Sequence, residues 1–312
     1  MVPELSIVVP VFNEEQVIPE LYERLKKVAQ KISAEHEIIF VNDGSRDGTL
    51  IKLKEVCLND KRAYYISFSR NFGHQIAVCA GLDFCRGRKV AIIDGDLQDP
   101  PELIDEMYQK SRDGIEVVYA RRRQRKGETW FKKVSAHTFY KIIRKMTKID
   151  IPLDTGDFRV IDMKVVKALR QMPEQNKFLR GQIAWLGFKS EAVLFDRDER
   201  KYGKTGYPLS KMLKFAIDGL TAFSDKPLVL VTRLGLWVSF ISLLVILYAL
   251  YSHFVLERTI TGWTSMIISS MFIGGIQLLS IGIIGEYISR INSDVRKRPL
   301  YVVGEDNLEL ED

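Results

Sequence analysis

Leu5-Ser6-Ile7-Val8-Val9-Pro10-Val11-Phe12-Asn13-Glu14 is an apolar, β-branched run that breaks abruptly into polar residues. Such a run predicts a strand buried on both faces. The break puts Asn13 and Glu14 at its carboxyl end. Working outward, the same rhythm recurs. Val17, Leu21, Leu25, Val28 and Ile32 share one helical face. Glu37–Val41 predicts a second strand, closed by the turn Asn42-Asp43-Gly44-Ser45. A helix is expected at about Thr49–Leu58, a strand at Ala63–Ser67, a helix at His74–Phe84 and a strand at Lys89–Ile93. This βαβα order predicts an α/β fold, a mostly parallel sheet flanked by helices. Ligands of such sheets gather beyond the carboxyl ends of the strands. The polar clusters Asn13-Glu14, Asn42-Asp43 and Asp94–Asp99 fall there.

The chain has 312 residues, 46% hydrophobic and 28% charged, with a formal net charge of +6. That length holds one large domain and an appendage. The charge suits anionic partners without choosing among nucleic acid, phosphorylated ligands and a membrane surface. Cys57, Cys79 and Cys85 lack CxxC spacing and read as small buried hydrophobes of a reducing compartment. The apolar start lacks a basic leader region and a small-residue cleavage site, so the N-terminal domain is expected to stay in the cytoplasm.

The second half is different. Arg121–Lys126 holds five basic residues in six, and Phe131–Thr147 reads as an amphipathic helix. Leu209–Phe223 reads as another, with Lys211 and Lys214 suited to a lipid surface. Leu234–Leu256 and Trp263–Gly285 contain no Asp, Glu, Lys or Arg. As helices of about 23 residues, each reaches about 34 Å, enough to cross a hydrocarbon core of about 30 Å. The short connector Glu257–Gly262 makes them a hairpin, in which Ser270, Gly274 and Gly275 favour close helix contact. Arg233 before the first span and Arg290, Arg296, Lys297 and Arg298 after the second put both termini on the cytoplasmic side. The expected organisation is a catalytic domain at 1–208, a juxtamembrane amphipathic helix at 209–228, two spans within 229–289 (about 234–256 and 263–285) and a cytoplasmic tail at 290–312. The acidic end Glu305–Asp312 reads as disordered.

Asp94-Gly95-Asp96 directly follows an apolar strand. Two carboxylates there suit a hard divalent cation, which could bridge the phosphates of a nucleotide, with Gln98 as a neutral oxygen ligand. There is no GxGxxG after the first strand and no GxxxxGK[ST] anywhere, which disfavours a dinucleotide dehydrogenase or a P-loop NTPase.

Ser6–Glu14, Val41–Ser45 and Asp94-Gly95-Asp96-Leu97-Gln98-Asp99-Pro100-Pro101, in this order, resemble family 2 glycosyltransferases of GT-A fold. The resemblance is to the polyprenyl-phosphate branch, that of bactoprenol glucosyltransferases and dolichol-phosphate mannose synthases, and it covers essentially the whole chain. It implies that Pro10, Asn13 and Glu14 form the first nucleotide-contacting loop and that Asp43 contacts the base. By the same resemblance Asp94, Asp96 and Gln98 hold Mg2+ or Mn2+ and the diphosphate. Asp157 takes the place of the acceptor-side acid, so Asp96 and Asp157 are the candidate catalytic residues. Arg200, Lys201 and Lys204 match a basic loop near the phosphates. Arg122 and Arg123, within the basic run, are candidate acceptor-phosphate ligands. Plainer readings stand beside these: Asn42–Ser45 as a turn, and Asp157 as an ion-pair partner of Arg159. The processive members' QxxRW is absent, the nearest string being Gln182-Ile183-Ala184-Trp185, which points to single transfer.

The implied reaction is inverting transfer of a hexose from a nucleotide sugar to polyprenyl (undecaprenyl) phosphate. Glucose from UDP-glucose is the reading carried, and mannose from GDP-mannose the alternative. The implied setting is the inner (plasma) membrane, multi-pass, with a homo-oligomer and a lipid-linked-sugar flippase as partners. A non-catalytic membrane scaffold or transport subunit is the rival from another class, but neither span carries a charged residue to mark a path. Nucleic-acid binding rests on charge alone and is not expected.

Overall fold

The structure, a computed structural model, describes residues 2–123, 155–196, 226–254 and 262–308. The expected helices at 131–147 and 209–223 lie outside them. Eight strands form one mixed sheet: β1 Leu5–Val11, β2 His36–Asn42, β3 Ala63–Phe68, β4 Lys89–Ile92, β5 Val117–Arg122, β6 Thr155–Asp162, β7 Ser190–Phe195 and β8 Val303–Asp306. Their order is β7-β5-β6-β4-β1-β2-β3-β8. β1 pairs in parallel with β2 and β4, β2 with β3, and β5 with β7. β6 runs antiparallel to both β4 and β5, and β8 antiparallel to β3. The strand positions expected from the apolar runs hold to within a residue or two.

All seven residues of β1 are buried, as are all seven of β2. That is why these strands read as continuous apolar runs. Successive side chains feed opposite layers. Ile7 and Val9 pack under the helices α1 (Ile18–Ile32), α2 (Thr49–Asn59) and α4 (Leu103–Arg112), through Leu21, Leu25, Leu53, Ile104 and Met107. Val8, Ile39 and Val41 face α3 (His74–Phe84), α5 (Met163–Arg170) and α6 (Leu179–Leu186), through Ala77, Val78, Val165, Val166 and Ile183.

Two long helices follow, α7 Lys226–Phe254 and α8 Trp263–Arg296. Each is long and apolar enough to cross a membrane, over Leu228–Val245 and Ser269–Arg296, and no residue of either window is buried. Leu236, Trp237, Met271 and Leu278 point outward with most of their surface bare. So large an apolar surface is costly in water and ordinary in lipid. α7 begins eight residues before the expected start at 234, and α8 runs eleven residues past the expected end at 285.

The acidic end departs from expectation. Val303–Asp306 is a strand, with Ile66 opposite Asp306, Ser67 opposite Glu305 and Phe68 opposite Val303. Glu305 meets Lys54 at 2.8 Å, and the Asn307 side chain accepts a hydrogen bond from the Tyr65 amide at 2.6 Å. Composition suggests disorder here, but an open strand edge recruits by its backbone, to which charged side chains are no obstacle.

Candidate active site

The carboxyl ends of β1–β5 lie along one rim. Because β6 is reversed, its amino end, Thr155-Gly156-Asp157, joins them. Ile92 is opposite Arg159, so the residues just past each, Asp94 and Asp157, emerge side by side.

Over β1–β3 the rim holds a cavity of about 530 Å³, lined by Phe12, Asn13, Asn42, Gly44, Ser45, Arg46 and the segment Ser67–Asn71, with Leu50. Asn13 has a left-handed backbone, φ 56°. Its amide donates to Ser45 Oγ at 2.9 Å, and its Oδ1 accepts the Arg46 amide at 2.9 Å. The first two strand-end loops are thereby sewn together. The Glu14 amide donates to Thr49 Oγ1 at 2.9 Å. Pro10 lies inside β1, opposite Val41. Asp43 is buried beneath the cavity instead of lining it. Its carboxylate accepts the amides of Phe72 at 2.7 Å and Gly73 at 3.0 Å, and the Asn71 side chain at 2.9 Å. Burial raises its pKa, against the pull of those amides. Asp43 therefore shapes the loop after β3, and Arg46 and Arg70 are the charged groups that line the cavity.

Next along the rim, Asp94-Gly95-Asp96 turns tightly. Leu97 adopts φ 56° and is buried, and Asp96 Oδ1 accepts the Gln98 amide at 3.1 Å. A Cβ on Gly95 would meet Val11 Cγ1 at 2.7 Å and the Pro10 carbonyl at 3.0 Å. Gly95→Ala is therefore expected to push the carboxylates off position. Misplacement by about 1 Å costs up to about 10²-fold in rate, so turnover should fall by about that much while far-UV circular dichroism stays unchanged. Unaltered turnover would show that the close approach is dispensable.

Beyond it lies a charge cluster that sequence reading found only in part. Asp157 is buried. Its Oδ2 accepts from Gln75 Nε2 at 2.7 Å and lies 3.2 Å from His74 Nε2. Its Oδ1 lies 3.1 Å from Arg180 Nε and 3.6 Å from Arg159 Nη2. The expected Arg159 pair is thus present, with three further partners. Desolvation would raise the Asp157 pKa, but Arg180, His74 and Arg159 outweigh it and hold it well below the carboxylate range. His74 Nε2 also reaches Asp94 Oδ1 at 3.4 Å. Desolvation opposes its charging, yet Asp157 and Asp94 together raise its pKa to about 9. The two carboxylates thus favour the charged form of His74, which ties the acid of β6 to the acid of β4. Two of the missed residues, His74 and Gln75, had a visible signal. Asn71-Phe72-Gly73-His74-Gln75 is a polar cluster following β3, equivalent to those chosen after β1, β2 and β4.

Arg122 ends β5 on the same rim. Arg123 is exposed and faces Asp196 at 3.9 Å. Arg200, Lys201 and Lys204 lie outside the described residues. Among the described residues no group of three or more His, Cys, Asp or Glu side chains is arranged to hold a metal ion by itself. Two adjacent carboxylates at a strand end fit Mg2+ or Mn2+, which keeps most of its coordination for phosphate oxygens and water.

This reversed-strand sheet with paired acids after β4 is a GT-A-like fold. It aligns with glucosyl-3-phosphoglycerate synthase from Mycobacterium tuberculosis, solved with Mn2+, UDP and phosphoglyceric acid, at TM-score 0.52 and 15% identity, over 70% of this chain and 76% of that one. Residues 6–170 match Glycosyl transferase family 2, and the chain belongs to that family. It is 51% identical to the uncharacterized glycosyltransferase YkcC of Bacillus subtilis (strain 168), over 96% of this chain and 93% of that one. It is 37% identical to the SfII prophage-derived bactoprenol glucosyl transferase of Shigella flexneri, over 96% of this chain and 97% of that one.

Proposed function

We propose that the protein transfers glucose from UDP-glucose to a polyprenyl phosphate, with inversion, at the cytoplasmic face of the membrane crossed by α7 and α8. The carrying observation is the order of parts along the rim. A nucleoside-sized cavity covers β1–β3, paired acids follow β4, and a His–Asp–Arg cluster with Arg122 lies over β6 and β5. Donor base, diphosphate and anionic acceptor would lie along that line. The bactoprenol glucosyl transferase relative supports the lipid acceptor and the glucose.

Asp94 and Asp96, with Gln98 beside them, would hold Mg2+ or Mn2+. An ion held there would offset charge on the departing diphosphate. The nucleophile is a phosphate oxygen of the acceptor. A phosphate monoester has its second pKa near about 6, so it arrives largely as the dianion and needs no strong base. That suits Asp157, whose depressed pKa makes it a poor proton acceptor. Its part is to anchor Arg180, Gln75 and His74, so that their cationic and donor groups hold the acceptor phosphate in line with the anomeric carbon. Arg122 and the basic residues 200, 201 and 204 add positive charge for the two phosphorylated substrates.

The test is release of nucleoside diphosphate from membranes carrying the protein. Undecaprenyl phosphate together with UDP-glucose and Mn2+ is expected to give release, and omission of lipid or metal to remove it. Release from GDP-mannose alone would replace glucose by mannose. No release with any nucleotide sugar would favour a non-catalytic membrane subunit.

A further inference from the structure

After α8 the chain turns back onto the sheet. Lys297 closes the helix in a left-handed conformation, φ 48°. The last turn of α8 also touches the catalytic unit directly, Asp294 Oδ1 accepting the Gln175 amide at 2.9 Å. Five residues past the helix, the Tyr301 ring stacks on Phe68 at 5.1 Å between centroids and 19° between planes. Its hydroxyl donates to Asp83 Oδ2 at 2.9 Å. The Val302 carbonyl accepts the Ser69 amide at 3.0 Å. β8 then pairs with β3, and the register shifts between Ser67 and Phe68.

Ser67, Phe68, Ser69, Arg70 and Asn71 form one wall of the cavity over β1–β3, and the returning segment holds the first three of them. The contact propagates. Phe68 meets Phe72 edge to face at 5.6 Å. Phe72 carries the Arg70 guanidinium 4.0 Å above its ring, and its amide is bound by Asp43. A row of ring contacts thus runs from the segment after α8 to a cation that lines the cavity.

We propose that residues 297–308 are a brace for the nucleotide-binding wall and that Tyr301 is a positioning residue for the donor, acting through Phe68 and Phe72 on Arg70. This rests on the reading of that cavity as the nucleotide site. A stacked aromatic pair contributes about 0.5–1.5 kcal/mol, so loss of the stack weakens donor binding by up to about tenfold. The step of transfer, at β4 and β6, is untouched.

The experiment uses the full chain in lipid nanodiscs and measures UDP binding, KM for UDP-glucose, kcat and thermal midpoint. Tyr301→Ala is expected to raise Kd for UDP and KM for UDP-glucose by roughly five- to tenfold, with kcat within about twofold. Tyr301→Phe keeps the ring and is expected to restore KM. Asn307→Ala loosens the far end of the brace without touching the ring, and is expected to raise KM more modestly. Unchanged KM in Tyr301→Ala, or failure of Tyr301→Phe to restore it, overturns the proposal. So does a parallel fall in kcat and thermal midpoint in both Tyr301→Ala and Asn307→Ala, which would mark the segment as a general prop for the fold. Wild-type protein that binds no UDP would overturn the nucleotide reading itself, an outcome distinct from wild-type binding that Tyr301→Ala leaves intact.

Discussion

Asp96→Ala is expected to abolish transfer, by about 10³-fold or more, without releasing the protein from the membrane. Two losses coincide. One of the paired acids that would hold the divalent cation disappears, and electrostatic stabilisation of a leaving group of this kind supplies several kcal/mol. The turn that presents the pair also loses its internal clasp, because Asp96 Oδ1 accepts the Gln98 amide at 3.1 Å beside the left-handed Leu97. Asp96→Asn separates the two, since its amide oxygen can still accept that hydrogen bond but carries no charge. Asp96→Asn should therefore lose nearly as much activity as Asp96→Ala while keeping the wild-type thermal midpoint. Full activity in Asp96→Asn would refute a metal-ligand role. α7 and α8, long and apolar enough to cross a membrane, are untouched by either change, so membrane attachment should survive both.

Asp157→Asn is the second large effect, and it differs in kind. Neutralising this buried carboxylate leaves Arg159 and Arg180 without their shared counter-charge, a loss of about 3–5 kcal/mol for a buried pair broken on one side. Gln75 Nε2 would still find an acceptor in the asparagine oxygen, so the site loses charge before shape. Both thermal stability and turnover should fall steeply. Near-normal turnover with intact lipid binding would remove Asp157 from the mechanism. The same residue sets an acid limb. Its folded pKa is depressed, so its contribution is complete above its unfolded pKa of about 3.9 and is lost as pH falls below that value. Thermal melts between about pH 5 and pH 2 should show a downward slope in wild type that is shallower in Asp157→Asn.

The strands and the first halves of the site were legible because burial on both faces writes itself as an unbroken apolar run, as in β1 and β2, and because polar residues must stand where such a run stops. Asn13, Asp94 and Asp96 were found that way. β6 was hidden by its composition: Thr155-Gly156-Asp157-Phe158-Arg159 mixes buried charge with apolar residues, and its ion pairs exist only once three distant segments meet. Arg180 and Gln75 come from different helices and carry no spacing that links them to Asp157. Asp43 was legible as important, but not as a loop anchor, because the amides it binds lie some thirty residues along the chain. β8 escaped because its pairing is made by backbone groups, to which composition is blind.

The returning strand also has a consequence for biosynthesis. A ribosome delivers the chain from its amino end, and β8 lies beyond both apolar helices. Until the residues beyond those helices are made, β3 keeps an unpaired outer edge and Phe68 lacks the ring that covers it. An open edge of that kind is a site for misassembly. The sheet of this protein is thus finished only after its two long apolar helices have been made, and the cavity wall beside β8 is the last part of the fold to be completed.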